Sequence, residues 1–234
     1  MNTFLIRIFA IAFSLCISYA SKADTTAIES FAKQVYFEGI PYQQAATFDS
    51  DIVPYLVDIL DDEASSEYWG NAAVILSIVG ETEDFSHIVE FIERGFKEGH
   101  PEIYLRAQEA AIMAIGYFIN RADTNKEALL YLVNSLQVEN WDKRNIAGLS
   151  RDTLSYEQRN IKFSKAALLG LALAGTAEAE NAILKFQANG NRTGGFATLQ
   201  QRRYYDSVKG NITGLLEENR KVQAKGMMNY QQAR

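Results

Sequence analysis

The sequence predicts an all-α protein: a right-handed α-α superhelix of about four helical pairs, closed by a long C-terminal capping helix. Three observations predict it. An Ala-rich apolar segment, a polar turn and an amphipathic segment follow one another in that order three times. The amphipathic segments carry apolar residues at the i, i+3, i+4, i+7 spacing of a single helix face. No window holds the period-two alternation of a half-buried strand.

The opening segment, Met1 to Ala23, reads as a signal peptide. Arg7 precedes an apolar run from Ile8 to Ala20, which is short for a membrane span and is followed by small residues. Two small-x-Ala sites compete, Ser18-Tyr19-Ala20 and Ser21-Lys22-Ala23, and cleavage before Asp24 is the first choice. An uncleaved anchor is the alternative. Cleavage removes Cys16, the single cysteine, which suits an oxidising compartment. The implied location is the periplasm or the exterior, with no transmembrane segment after cleavage.

Residues 24–188 form the predicted array. A first pair comprises a helix from Thr26 to Glu38, a loop from Ile40 to Asp49 and a helix from Asp51 to Leu60. Ile52, Tyr55, Leu56, Ile59 and Leu60 give the latter its apolar face. The first clear unit joins Asn71–Gly80 to Phe85–Phe96, the second joins Ala110–Ile119 to Lys126–Val138, and the third joins Ala166–Gly175 to Glu178–Phe186. Phe85, Ile88, Val89 and Ile92 match Leu129, Leu132, Val133 and Leu136, then Ala179, Ala182, Ile183 and Phe186. The leading helices are apolar nearly all round, as expected of helices wedged between neighbours. Thr26-Ala-Ile-Glu29, Thr124-Asn-Lys-Glu127 and Ser155-Tyr-Glu-Gln158 read as capping boxes. Pro101 suits a first helical turn, and Gly80 and Gly175 suit left-handed helix ends.

The equivalent positions Ser77, Gly116 and Ala172 lie 39 and 56 residues apart. The excess of 17 falls within about Glu139 to Tyr156, a polar insertion expected to project as a loop. Residues 189–195 are expected to be a Gly-rich joint. Residues 196–234 form a basic C-terminal helix and tail, in which Tyr204, Val208, Ile212, Leu215 and Leu216 keep helical spacing through Gly210 and Gly214.

The Ala-x-x-Ala-(Leu/Ile)-Gly pattern, polar turn and Leu/Ile-rich helix resemble HEAT repeats, particularly the short subtype also found in phycobilin lyases. Gly80, Ala114-Ile115-Gly116, Gly175 and the opening Ile52-Val-Pro-Tyr-Leu-Val-Asp-Ile-Leu60 carry the resemblance, which covers roughly Asp51 to Ala188. It departs from the pattern at the long insertion and in lacking glycine at Ser77 and Ala172. It implies an α-solenoid and leaves activity open.

Composition narrows the chemistry. With 234 residues, 47% hydrophobic and 22% charged, the chain can bury a core and is not wholly disordered. One cysteine excludes a disulfide framework, a thiolate zinc site and an iron–sulfur cluster unless a partner supplies ligands. His87, with Glu83 and Glu90 at helical spacing, has no second histidine nearby, and reads as surface; His100 reads as capping or surface. No metal site is assigned. Asp58, Asp61, Asp62 and Glu63 are read as a solvated helix end, and no catalytic residue is assigned. Asn189-Gly-Asn-Arg-Thr-Gly-Gly195 lacks the Gly-Lys-Ser/Thr ending of a P-loop and any preceding strand. No cofactor is implied.

From Lys185 onward nine basic and three acidic residues give +6; Asp24 to Leu184 carries 12 basic and 26 acidic residues, or −14. Such a body disfavours nucleic acid, whose phosphates require cationic surface. Trp, Tyr and Arg dominate protein-binding hot spots. The candidate partner-binding residues are therefore Trp141 and Arg144 in the insertion, with Arg202, Arg203, Tyr204 and Tyr205 in the tail. For Trp141 binding and core packing stay open; Trp69 is expected in the core. The expected function is a non-catalytic binding or scaffold module for another exported protein or peptide. The alternative is a lyase-like or hydrolytic enzyme using carboxylates in the concave face.

Overall fold

The structure is a computed structural model that describes residues 26–37, 39–95, 101–121, 126–144, 146, 155–192 and 199–225. The expected leader, the Thr124 capping box and His100 lie outside the described residues. No strand occurs among the described residues, whose regular structure is all helical. No helix there is long and apolar enough to cross a membrane.

Helix α1 covers 26–32, and α2 (Tyr42–Ala45) is a single turn inside the segment expected to be a loop. α3 (Val53–Asp61) follows a 3-10 turn, with Pro54 in its first turn, where no amide partner is needed. α4 (Trp69–Val79) and α5 (Phe85–Glu93) match the first expected unit. α6 (Pro101–Arg121) starts at the proline and runs well past its expected apolar core. α7 (Lys126–Ser135) and α8 (Val138–Lys143) come next. α9 (Tyr156–Ala174), α10 (Ala177–Arg192) and α11 (Leu199–Lys225) complete the chain.

Packing runs in series. α3 lies on α4, α4 on α6, and α6 on α9; α9 also takes α7, α8, α10 and α11. The leading helices are buried nearly all round: in α4 every residue from Ala72 to Val79 is buried. Their partners bury only one face. Phe85, Ile88 and Ile92 are buried in α5, Leu132 in α7 and Ile183 in α10. Helix periodicity therefore reports which face is buried.

The punctuation is partly as expected. Ser155 accepts from the Gln158 amide at 3.2 Å, and Gln158 Oε1 accepts from the Ser155 amide at 3.1 Å, closing the capping box. Gly175 ends α9 at φ 65°, the left-handed conformation. Gly80 does not: it ends α4 in extended backbone, at φ −62° and ψ 151°. A Cβ there would stand 2.8 Å from the Leu76 carbonyl oxygen, so close approach requires the glycine. α10 continues to Arg192 and takes in the first four residues of the expected joint. The insertion begins as α8, and its described part lies against the core rather than projecting: Trp141 is fully buried and Ile146 is buried, while residues 147–154 lie outside the described residues.

Candidate functional site

The candidate residues of the insertion sit where α7 ends. A helix leaves its last carbonyls without internal partners, and buried carbonyls require donors. Trp141 supplies one: its indole Nε1–H donates to the Ser135 carbonyl at 2.9 Å, and Ser164 Oγ on α9 donates to the same oxygen at 3.1 Å. The indole packs on Phe163 at 4.9 Å and edge-on to Tyr131 at 6.4 Å between centroids. Packing thus wins over exposure for Trp141, because the indole has an apolar wall and a partner for its single N–H.

Arg144 lies against that indole. Its guanidinium carbon is 4.1 Å from the Trp141 ring centroid and 4.2 Å from that of Tyr131. Nη2 donates to Ser135 Oγ at 2.9 Å, and Nε is 3.5 Å from Glu93 Oε1 on α5. Burial raises the Tyr131 hydroxyl well above the ordinary tyrosine pKa; Arg144 opposes the shift and Glu93 adds to it. The guanidinium thus ties the insertion to α5 and α7.

Arg159 and Asn160, both buried, extend the cluster. Arg159 donates through Nη1 to the Ile146 carbonyl at 2.8 Å, and through Nε and Nη2 to Asn160 Oδ1 at 3.0 and 2.9 Å. Asn160 Nδ2 donates to Asp142 Oδ1 at 2.6 Å. Asp142 thus faces the buried cation through the Asn160 amide. Burial lowers the Arg159 pKa from its ordinary value, and Asp142 opposes that. The sequence reading overlooked Arg159; its helical spacing from Tyr156 and Phe163, on the same face of the first turns of α9, was the available signal.

Side-chain donors at helix ends recur along the chain. Trp69 Nε1 donates to the Asp62 carbonyl just past α3 at 3.1 Å, as Trp141 does for α7. Arg94 donates to the Leu60 carbonyl at 3.0 Å and pairs with Asp61. Asn71 holds the Ala32 and Gln34 carbonyls after α1, each at 2.9 Å. Tyr104 and Gln108 of α6 reach the last carbonyls of α5. The tryptophans and several arginines are thus committed to joining successive helices.

Arg202, Arg203, Tyr204 and Tyr205 fall within the backbone of α11, and their side chains lie outside the described residues. The surface elsewhere offers Leu130 on α7 and Leu184 on α10, 59% and 52% exposed, and Phe37, 97% exposed, in the turn after α1. His87 is half-buried, and among the described residues no group of three His, Cys, Asp or Glu side chains is placed to hold a metal ion. Glu93, Glu109 and Glu180 each sit in an ion pair, with Arg144, Lys162 and Arg220. No protein-family model, curated protein or solved structure matches the chain.

Proposed function

We propose that the chain is an exported, non-catalytic binding or scaffold module, built as a right-handed array of HEAT-like helical pairs. The serial packing of α4 on α6 and α6 on α9 supports this reading best, since each leading helix is wedged between neighbours and followed by an amphipathic partner. Arrays of this kind leave an extended face of outer and inner helices on which a second protein lies. Trp141 and Arg144 serve that role from behind, by fixing where α7 and α8 lie. The contact itself falls to exposed side chains of the acidic body such as Leu130 and Leu184.

The partner is another exported protein or peptide with a basic surface, because the body from Asp24 to Leu184 carries a net −14. Such steering weakens as salt rises, because the Debye length shortens. Affinity capture from the native compartment, with the mature chain as bait, should retain a basic protein or peptide that a few hundred millimolar salt releases. Retention of a nucleic acid, or turnover of a small molecule by the purified chain, would overturn the proposal.

A further inference from the structure

We propose that α11 is a displaceable strap: its second half fills a helix-binding groove on α9 and α6, and it opens as a unit while the other helices stay folded. The groove is specific. Its floor is Gly175, where a Cβ would stand 2.5 Å from the carbonyl carbon of Asn219 and 2.8 Å from the amide nitrogen of Arg220. The backbone of α11 therefore rests on the left-handed turn that ends α9. Asn120 of α6 spans the joint: its Nδ2 donates to the Ala174 carbonyl at 2.9 Å and to the Asn219 carbonyl at 3.0 Å. One amide thus closes the end of α9 and grips α11.

The same contact is weakly secured. Over residues 210–225, the half that meets α9, the buried apolar side chains are Ile212 and Val222, with Leu215 and Leu216 half-buried beside them. Its described side chains ahead of Ile212, at Asp206, Lys209 and Asn211, are exposed. At the centre of the stripe the Asn219 Oδ1 is buried without a hydrogen-bond partner, a cost that water removes when the helix lifts. Gly210 and Gly214 have nothing within 4 Å of a Cβ position, so no packing contact calls for them, and each disfavours the helix. The α6–α9 contact is likewise tight to the backbone, at Gly116 and Gly170, but it joins two helices whose apolar side chains are buried nearly all round.

Elements with few buried apolar contacts open before the global transition. Opening α11 uncovers a helix-sized groove with the Asn120 amide as donor, the last carbonyls of α9 as acceptors and a bare glycine turn between them. A helix with the spacing of Ile212, Leu216 and Val222 and an asparagine in the place of Asn219 fits it. In the resting protein the occupant is α11 itself.

Hydrogen exchange on the full chain tests this. Amides of residues 215–219 should share one protection factor, at least tenfold below those of residues 166–172 in α9. Ile212→Ala should lower the first set about thirtyfold or more further and leave the second unchanged. Protection within tenfold of α9 would overturn the proposal. So would an equal effect of Ile212→Ala on both sets, or protection graded inward from Lys225, which marks end fraying.

Discussion

Gly116 on α6 and Gly170 on α9 meet backbone to backbone: a Cβ on Gly116 would lie 2.1 Å from the Gly170 carbonyl oxygen and 2.8 Å from the Leu173 Cβ. Neither obstacle is a flexible side-chain end, so α6 and α9 must separate to admit even a methyl group. Alanine is the better helix former by about 1 kcal/mol. Overpacking a well-filled contact costs about 1–3 kcal/mol and more where backbone must move. Gly116→Ala should therefore be destabilising in urea unfolding despite the propensity gain. Gly170→Ala, whose nearest atoms stand at 3.1 Å, should cost less. A Gly116→Ala protein more stable than the parent would show that α6 and α9 are not in this contact.

Trp141 separates ring packing from hydrogen bonding. Trp141→Phe keeps an aromatic ring against Phe163 and removes the Nε1–H donor, while Ser164 still serves the Ser135 carbonyl. The loss should be about 1–2 kcal/mol. Trp141→Ala also removes the ring and should cost about 3–5 kcal/mol. Chemical denaturation of both variants gives the comparison. Equal losses in the two would mean that the ring contributes nothing by its packing.

Alkaline pH should weaken the fold through its buried tyrosines. Burial pushes the Tyr104 hydroxyl up to about 12 from an ordinary 10, with Arg94 opposing and Asp61 adding. Tyr131 shifts in the same direction, also through burial. A folded-state pKa above the unfolded one means that the native state holds the proton longer. The stabilisation is therefore complete below pH 10 and is lost as pH rises from about 10 towards 12. Unfolding free energy followed across this range should fall, and Tyr104→Phe should make the fall shallower. An unchanged slope in Tyr104→Phe would assign the alkaline loss to other groups.

What could be read from the sequence was local. The spacing of Phe85, Ile88 and Ile92 placed a buried face because helix period and burial share one geometry. Ser155 and Gln158 placed a helix start because a capping box satisfies its own amides. Trp141 was not decidable that way: its partner is a buried carbonyl six residues back, left without a helical partner only because α7 stops at Ser135. A polar neighbourhood in sequence does not reveal an indole facing Phe163, 22 positions away. Gly80 shows the same limit. A glycine at a helix end announces a stop, but close approach to Leu76, not a left-handed turn, is what selects it.

The C-terminal helix decides whether the stack is closed at its last element. α11 runs unbroken through Gly210 and Gly214 and lays Ile212 and Val222 against the α9 side of the stack. Truncation before Ala197 removes both side chains, and with them about 1.5–3 kcal/mol each of apolar burial. It also leaves the Asn120 amide and the end of α9 to solvent. The shortened protein should melt lower, on the order of 10 °C, or aggregate through the exposed surface. Gly175→Ala tests the same contact without deletion. The left-handed backbone disfavours alanine there by roughly 1–2 kcal/mol, and its Cβ would stand 2.5 Å from the Asn219 carbonyl carbon. Thermal melts and light scattering should therefore show Gly175→Ala part of the way from parent to truncation. A truncated chain that stays soluble with an unchanged melting temperature would show that α11 closes nothing, and would make it a free arm.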